Sequence, residues 1–244
     1  DMSKHSGEHP RFGATDVCPL IPVSNITMDE LVPYAEKLAE KVSDELNIPI
    51  YLYENAARED KRRNLANVRS GEYEGLKKKI NSKDWKPDFG KEFNKKSGAT
   101  AIGVRDFLIA YNINLNTKST RLANAIAFDV REKGRIKREG HPVIGEIVYD
   151  KDGNPESIPG SLKHVKAIGW YIEEFGIAQI SMNLTNITET PIHIVFEEVV
   201  KKANARGASV TGSELVGLIP LKSMIDAGKY FLKKQNRSVG IPEE

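Results

Sequence analysis

The residues best suited to chemistry crowd the first twenty positions. In HSGEHPRFGATDVCPLIPV, residues 5 to 23, His5 and His9 stand four apart with Glu8 beside the second. On a helix this H-x-x-E-H spacing sets two imidazoles on one face, ready for a zinc ion. The backbone argues against it here. Gly7 lies between the histidines, and Pro10 pushes His9 out of the α region. No third ligand stands in a recognisable zinc spacing, so no metal is expected. Two readings remain. The pair are surface loop histidines, or one of them is a general base, since imidazole titrates near neutrality. Gly7, Pro10 and Gly13 suit a loop held in unusual dihedrals, as functional loops often are. Arg11 offers a guanidinium fork for an anion, with a structural pairing to Asp16 as the competing reading.

The elements that must position these residues follow from periodicity. ATDVCPLIPV, 14 to 23, reads as a short strand. Thr27 and Glu30 have capping-box spacing ahead of a helix stripe at Leu31, Ala35, Leu38, Val42 and Leu46. Pro33 predicts a kink or a separate first turn. IPIYLYE, 48 to 54, is strand-like, and residues 55 to 98 are polar and basic with helical patches and a Pro/Gly/Asn-rich loop. From residue 99 a second unit is predicted. It holds strand 107–115, a helix through Leu122, Ala125, Ile126 and Val130 ending near Gly134, and an inserted arm at 135–162 with a hairpin turn at Asp152-Gly153. Two paired strands follow. In the second, Ala178, Ile180, Met182 and Leu184 alternate with Gln179, Ser181 and Asn183. Thr190-Pro191 then opens a helix as cap and first turn, before a strand and a last helix.

That order, β-α-β-β-α-β plus a terminal helix, predicts a ferredoxin-like layer. The first unit shows only strand, helix, strand, the back half of the same pattern. The fold class expected is therefore α+β: two ferredoxin-like α/β-sandwich subdomains, 1–98 and 99–244, the first incomplete.

Composition narrows the classes of function. At 244 residues, 39% hydrophobic and 29% charged, the chain has the make-up of a soluble globular protein. A net charge of +2 argues neither for nor against nucleic acid, and the aromatic pattern of an RNA-reading sheet is absent. No apolar run approaches the ~18 residues of a membrane helix. The single cysteine, Cys18, cannot form an internal disulfide and is expected as a buried, inert thiol. It suits a reducing compartment, and the cytoplasm is expected.

The stretch DMSKHSGEHPRFGATDVCP at 1–19 resembles the signature of glutamate formiminotransferases, the family that includes the transferase part of formiminotransferase-cyclodeaminases. The likeness continues in PIYLY (49–53), RSGEYE (69–74), WKPDFG (85–90), GAT (98–100), FLIAYNINL (107–115), AIGWY (167–171), QISMN (179–183) and GSELVGLIP (212–220). It covers nearly the whole chain except the arm. The resemblance implies transfer of a formimino group from N-formimino-L-glutamate to N5 of tetrahydrofolate, with tetrahydrofolate as co-substrate and no metal. It implies His9, in Gly-Glu-His-Pro, as the catalytic histidine. It also implies a folate-contacting loop of Gly90, Lys91, Glu92, Phe93, Asn94, Lys95, Lys96, Ser97 and Gly98, one residue shorter here than in the family. A homodimer is implied. The family's front segment, with a strand, a helix and an acid that orients the histidine, does not precede Asp1, and no room follows Glu244 for a cyclodeaminase. A stand-alone transferase lacking its front is expected. An inactive folate-binding module and a related formyltransferase remain as alternatives.

Within that resemblance one imidazole removes a proton from the attacking N5 and returns one to the departing glutamate nitrogen. Both substrates, including polyglutamylated folate, are polyanions. The runs Lys61-Arg62-Arg63, Lys77-Lys78-Lys79 and Lys95-Lys96 either steer them or form solvated faces. Asn112, Asn114, Gln179, Ser181 and Asn183 either line a cavity between the units or form a hydrated sheet face. His5 is a candidate neighbour of His9. His141 is expected in a loop, His164 at the surface and His193 in a first helical turn. No nucleic acid or membrane partner is expected.

Overall fold

In the computed structural model, which describes residues 1–6, 10–141 and 144–237, the chain divides into two units, Asp1–Asp106 and Phe107–Glu244. The first contains β1 (Asp16–Leu20), α1 (Met28–Leu46), β2 (Ile50–Glu54), α2 (Leu65–Arg69), α3 (Glu72–Ile80) and β3 (Thr100–Val104). Its sheet has the order β1-β3-β2, and both pairings are parallel. The predicted strand–helix–strand is there, and β3 fills the gap between its two strands. The boundary therefore falls after Asp106, not at 98/99. TAIGV pairs with strands 50 and 84 residues upstream, and a local apolar pattern carries no trace of such distant partners.

A parallel sheet is stable when both faces are covered, and its strands are then apolar throughout. In β2, Ile50 and Leu52 face α1 together with Ala35, Ala39, Ile102 and Val104. Tyr51 and Tyr53 face the other way, with Phe12, Val68, Leu76 and Ile80. Cys18 is half-buried at the edge of the α1 cluster rather than fully buried. The capping box at Thr27 and Glu30 forms as predicted. The helix nevertheless runs unbroken through Pro33, because a proline near the start of a helix forfeits few ladder hydrogen bonds.

The second unit contains β4 (Ile109–Leu115), α4 (Thr120–Val130), the arm ladders β5 (Arg135–Ile136), β6 (Arg138–Glu139), β7 (Glu146–Ile147) and β8 (Ser157–Ile158), then β9 (Val165–Ile172), β10 (Ile177–Leu184), α5 (Ile192–Ala205), β11 (Val210–Val216) and α6 (Leu221–Lys234). The main sheet has the order β11-β4-β10-β9, with every neighbour antiparallel. Numbered within the unit this is 4-1-3-2, the arrangement that the β-α-β-β-α-β order predicts. One face of the sheet buries Ile109, Tyr111, Ile113 and Leu115 of β4 with Ile180, Met182 and Leu184 of β10 under α4 and α5. Gly169 lets α4 come close: a Cβ there would collide with Asn124 N, and the Asn124 amide bonds both the N–H and the carbonyl of Gly169 at 2.9 and 3.0 Å. The arm is two short ladders closed by the predicted turn, in which Asp150 N donates to Asn154 O. Thr190 does not cap α5. Its hydroxyl donates to Lys163 O instead, and Pro191 precedes the first turn.

Candidate active site

His9 lies outside the described residues, as do Gly7 and Glu8, but both flanks of this histidine are placed. On one side Met2 is buried and its N–H donates to Lys96 O at 2.8 Å. On the other, Ala99 N donates to Phe12 O at 3.0 Å and Ala14 N to Ser97 O at 2.8 Å. Gly13 and Gly98 form an antiparallel bridge. Gly98 has φ +68°, and a Cβ there would strike Phe12 O, so only glycine fits. The two flanks of the histidine segment and the end of the 90–98 loop are thus sewn together by main-chain hydrogen bonds within one unit.

The loop itself is held by its middle residue. Asn94 Oδ1 accepts from the N–H groups of Lys96 and Ser97, an Asx-type turn, and Asn94 Nδ2 donates to Asn47 O at the end of α1. Phe93 stacks at a tilt on Tyr73, whose hydroxyl donates to Lys95 O. Lys91, Glu92, Lys95 and Lys96 stay exposed. Between residues 90–95 and the last turn of α1, with Ser43, Asp44 and Asn47, lies a hollow of about 630 Å³.

Arg11 takes neither arrangement expected for it. Its Nη1 donates to Glu72 Oε2 at 3.1 Å, its Nη2 to Glu74 Oε1 at 2.7 Å and to His5 O at 3.0 Å. Its Nε reaches His5 Nδ1 at 3.4 Å. Two carboxylates and a carbonyl occupy the fork in this structure. The hydrogen bonds from Arg11 in turn hold the Glu74 carboxyl down to about 2. Asp16, the other expected partner, pairs with Arg69 and accepts from Phe12 N at 2.9 Å. Arg69 Nε is buried with no hydrogen-bond partner among the described residues. Sequence reasoning missed Arg69, Glu72 and Glu74 as single residues, although all three sit inside the RSGEYE stretch.

The basic runs divide. Arg62 is buried, bonded to Asp88 Oδ2 at 2.7 Å and to Lys86 O at 2.8 Å. Lys61 and Arg63 pair with Glu59 and Asp60. Lys79 donates to the carbonyls of Asn67, Val68 and Ser70 and lies 4.0 Å from the Trp85 ring centroid. Burial, with Arg62 nearby, pushes its ammonium down to about 8. One residue of each run, Arg62 and Lys79, is thus structural, while Lys77 and Lys78 are exposed. Lys95 and Lys96 remain as exposed cations on the loop.

In the second unit the amide-bearing strand faces form a network. Gln179, fully buried, accepts from Trp170 Nε1 at 2.9 Å and donates to Asn114 Oδ1 at 2.7 Å and to Glu214 Oε2 at 3.2 Å. Asn112 also donates to Glu214. Gln179 and Asn112 are buried, unlike a hydrated face, while Asn183 is exposed. Glu214 went unnoticed in the sequence, though it shares the register of Asn112. His164 Nε2 meets Glu189 at 2.9 Å. His193 stacks on Tyr230, and burial lowers its pKa. His141 Nδ1 accepts from Ile144 N in the arm. Among the described residues no group of three or more His, Cys, Asp or Glu side chains is arranged for a metal ion, and no helix is long and apolar enough to cross a membrane.

Comparison with known proteins adds an independent line. Residues 1–105 match the family described as formiminotransferase domain, N-terminal subdomain, and residues 110–244 match the formiminotransferase domain. The chain is 48% identical over 236 residues to a formimidoyltransferase-cyclodeaminase of Gallus gallus, which covers 96% of this chain and 40% of that protein. It is 39% identical to a glutamate formimidoyltransferase of Streptococcus pyogenes serotype M1, covering 97% of this chain and 71% of that protein. With the glutamate formimidoyltransferase of Thermoplasma acidophilum the figures are 40% identity, 96% and 69%. The chain thus spans 40% of the length of the longer relatives such as the Gallus protein.

Proposed function

Because this chain belongs to the formiminotransferase family, we propose that it transfers the formimino group of N-formimino-L-glutamate to N5 of tetrahydrofolate, releasing L-glutamate and 5-formiminotetrahydrofolate. The formimino carbon is an amidine-like electrophile. N5 attacks it to give a tetrahedral intermediate, N5 loses its proton, and the glutamate nitrogen gains one as its bond to that carbon breaks. His9 takes the first proton and delivers the second, which an imidazole of near-neutral pKa does well. Holding two substrates in register supplies much of the remaining acceleration.

The observation that carries this reading is the main-chain seam between the flanks of His9 and residues 96–99. It ties the proposed base to the proposed folate loop. The hollow beside residues 90–95 is of a size for a pterin-like ring. Exposed Lys95 and Lys96 suit the anionic folate tail. Arg11 acts as a positioning residue that fixes His5 and the entry to the histidine segment.

The test is the transfer reaction itself with the full-length protein, wild type against His9→Ala. A rate loss of about 100- to 10,000-fold is expected, with tetrahydrofolate affinity within about tenfold. Equal rates would remove His9 from the chemistry.

A further inference from the structure

Helix α4 has two contrasting faces. Ala123, Ile126, Ala127 and Val130 are buried. The other stripe carries Arg121, Ala125 and Phe128, with Arg131 just past the last turn, at the spacing of one helical face. With the arm and the end of α5 this stripe bounds a groove of about 850 Å³. Five arginines line it: Arg121, Arg131, Arg135, Arg138 and Arg206. None of its lining residues is acidic.

Few neighbouring groups offset this charge. Asp129 pairs with both Arg135 and Arg206, one carboxylate for two guanidiniums. Arg131 donates to the carbonyls of Gly134 and Ala167, and its guanidinium carbon lies 3.9 Å from the Phe128 ring centroid. Arg138 donates to Gly145 O. Arg121 is exposed and has no ion pair among the described residues. His141 also lines the groove. Like charges gathered in one groove repel, and a bound anion relieves that repulsion. The apolar wall of Leu122, Ala125, Phe128 and Ile136 favours a ligand with a non-polar body. Arg121 and Arg131 stand ten positions apart, roughly 15 Å along the helix, a span that one phosphate does not bridge.

We propose that this groove binds a small organic polyanion with an aromatic body, of the nucleoside triphosphate class, as an accessory ligand. The phosphates sit among the arginine forks, which grip them in pairs, and the ring lies along Phe128 and Ile136. The groove uses no residue assigned to formimino transfer, so the two readings stand or fall separately.

Calorimetric titration of the full-length protein with ATP, adenosine and inorganic triphosphate tests this. ATP is expected to bind at least about tenfold more tightly than either of the others. Arg121→Glu, on an exposed helix face, and Arg138→Gln, checked for native circular dichroism, should each weaken ATP by about tenfold or more. Inorganic triphosphate binding as well as ATP overturns the aromatic part and with it the proposal. So does an absence of ATP binding, or ATP affinity unchanged in both variants. Transfer assays on the same preparations report separately on His9.

Discussion

The two units solve the same problem, a sheet under helices, with different materials. The first has three parallel strands, covered on both faces, joined by one regular helix and by one long, irregular stretch of short helices and loops. Its loops are anchored by charge and main-chain bonds: Arg62 to Asp88, Asp88 to Leu52 N, Arg11 to two glutamates and Asn94 to Asn47. The second has four antiparallel strands with a single apolar core on one side and an amide network on the other. Irregular loops have no repeating ladder to satisfy their polar groups, so side chains must do it. That is also where the flanks of the proposed catalytic segment lie, held by particular main-chain and side-chain partners.

The largest expected effect breaks the first kind of anchoring. Arg62→Met leaves the Asp88 carboxylate, 5% exposed, without its cation. A loss of about 3–5 kcal/mol is expected for breaking such a buried pair, read as a lower urea midpoint. A loss under about 1 kcal/mol, the worth of a surface pair, would mean that the first unit is held by its apolar clusters after all.

The matching change in the second unit is Gln179→Leu. It deprives Asn114 and Glu214 of a donor, at a cost of about 1–3 kcal/mol. The effect should be smaller than that of Arg62→Met because the apolar face is untouched. A loss as large would erase the contrast between the units.

The smallest effect concerns acid. Arg11 holds Glu74 down to about 2 against an ordinary 4.5. The folded chain therefore binds fewer protons than the unfolded one in that interval. The tie contributes fully above about 4.5 and is lost as the pH falls toward about 2. Carbon-detected NMR titration of Glu74 should show the low midpoint in the wild type and a return toward 4.5 in Arg11→Met. An unchanged midpoint in the variant would show that another group holds the carboxyl.

Legibility in the sequence tracks the same division. The second unit could be read because its signals are local: strict alternation in 178–184, glycine after a periodic helix, Asp-Gly in a hairpin. The capping box at Thr27 was local too. What escaped was non-local. The strand at Thr100–Val104 belongs to a sheet whose other members lie far upstream. Arg11 was offered Asp16, five residues on, as a structural partner, whereas its partners are 61 and 63 positions away. Arg62 looked like part of a solvated basic run, yet Asp88 lies 26 residues on. Thr190 had the right neighbour for a cap, but a carbonyl of Lys163 competes for its hydroxyl.

The placement of β3 between β1 and β2 has a consequence for biosynthesis. Among the described residues β1 and β2 pair with β3 and not with each other. Both are made before the Thr100–Val104 strand that joins them, with the whole basic stretch in between. Joining β1 to β2 is therefore a late step of synthesis, and a nascent chain stalled before that point leaves the two strands without that shared partner, for a chaperone to hold.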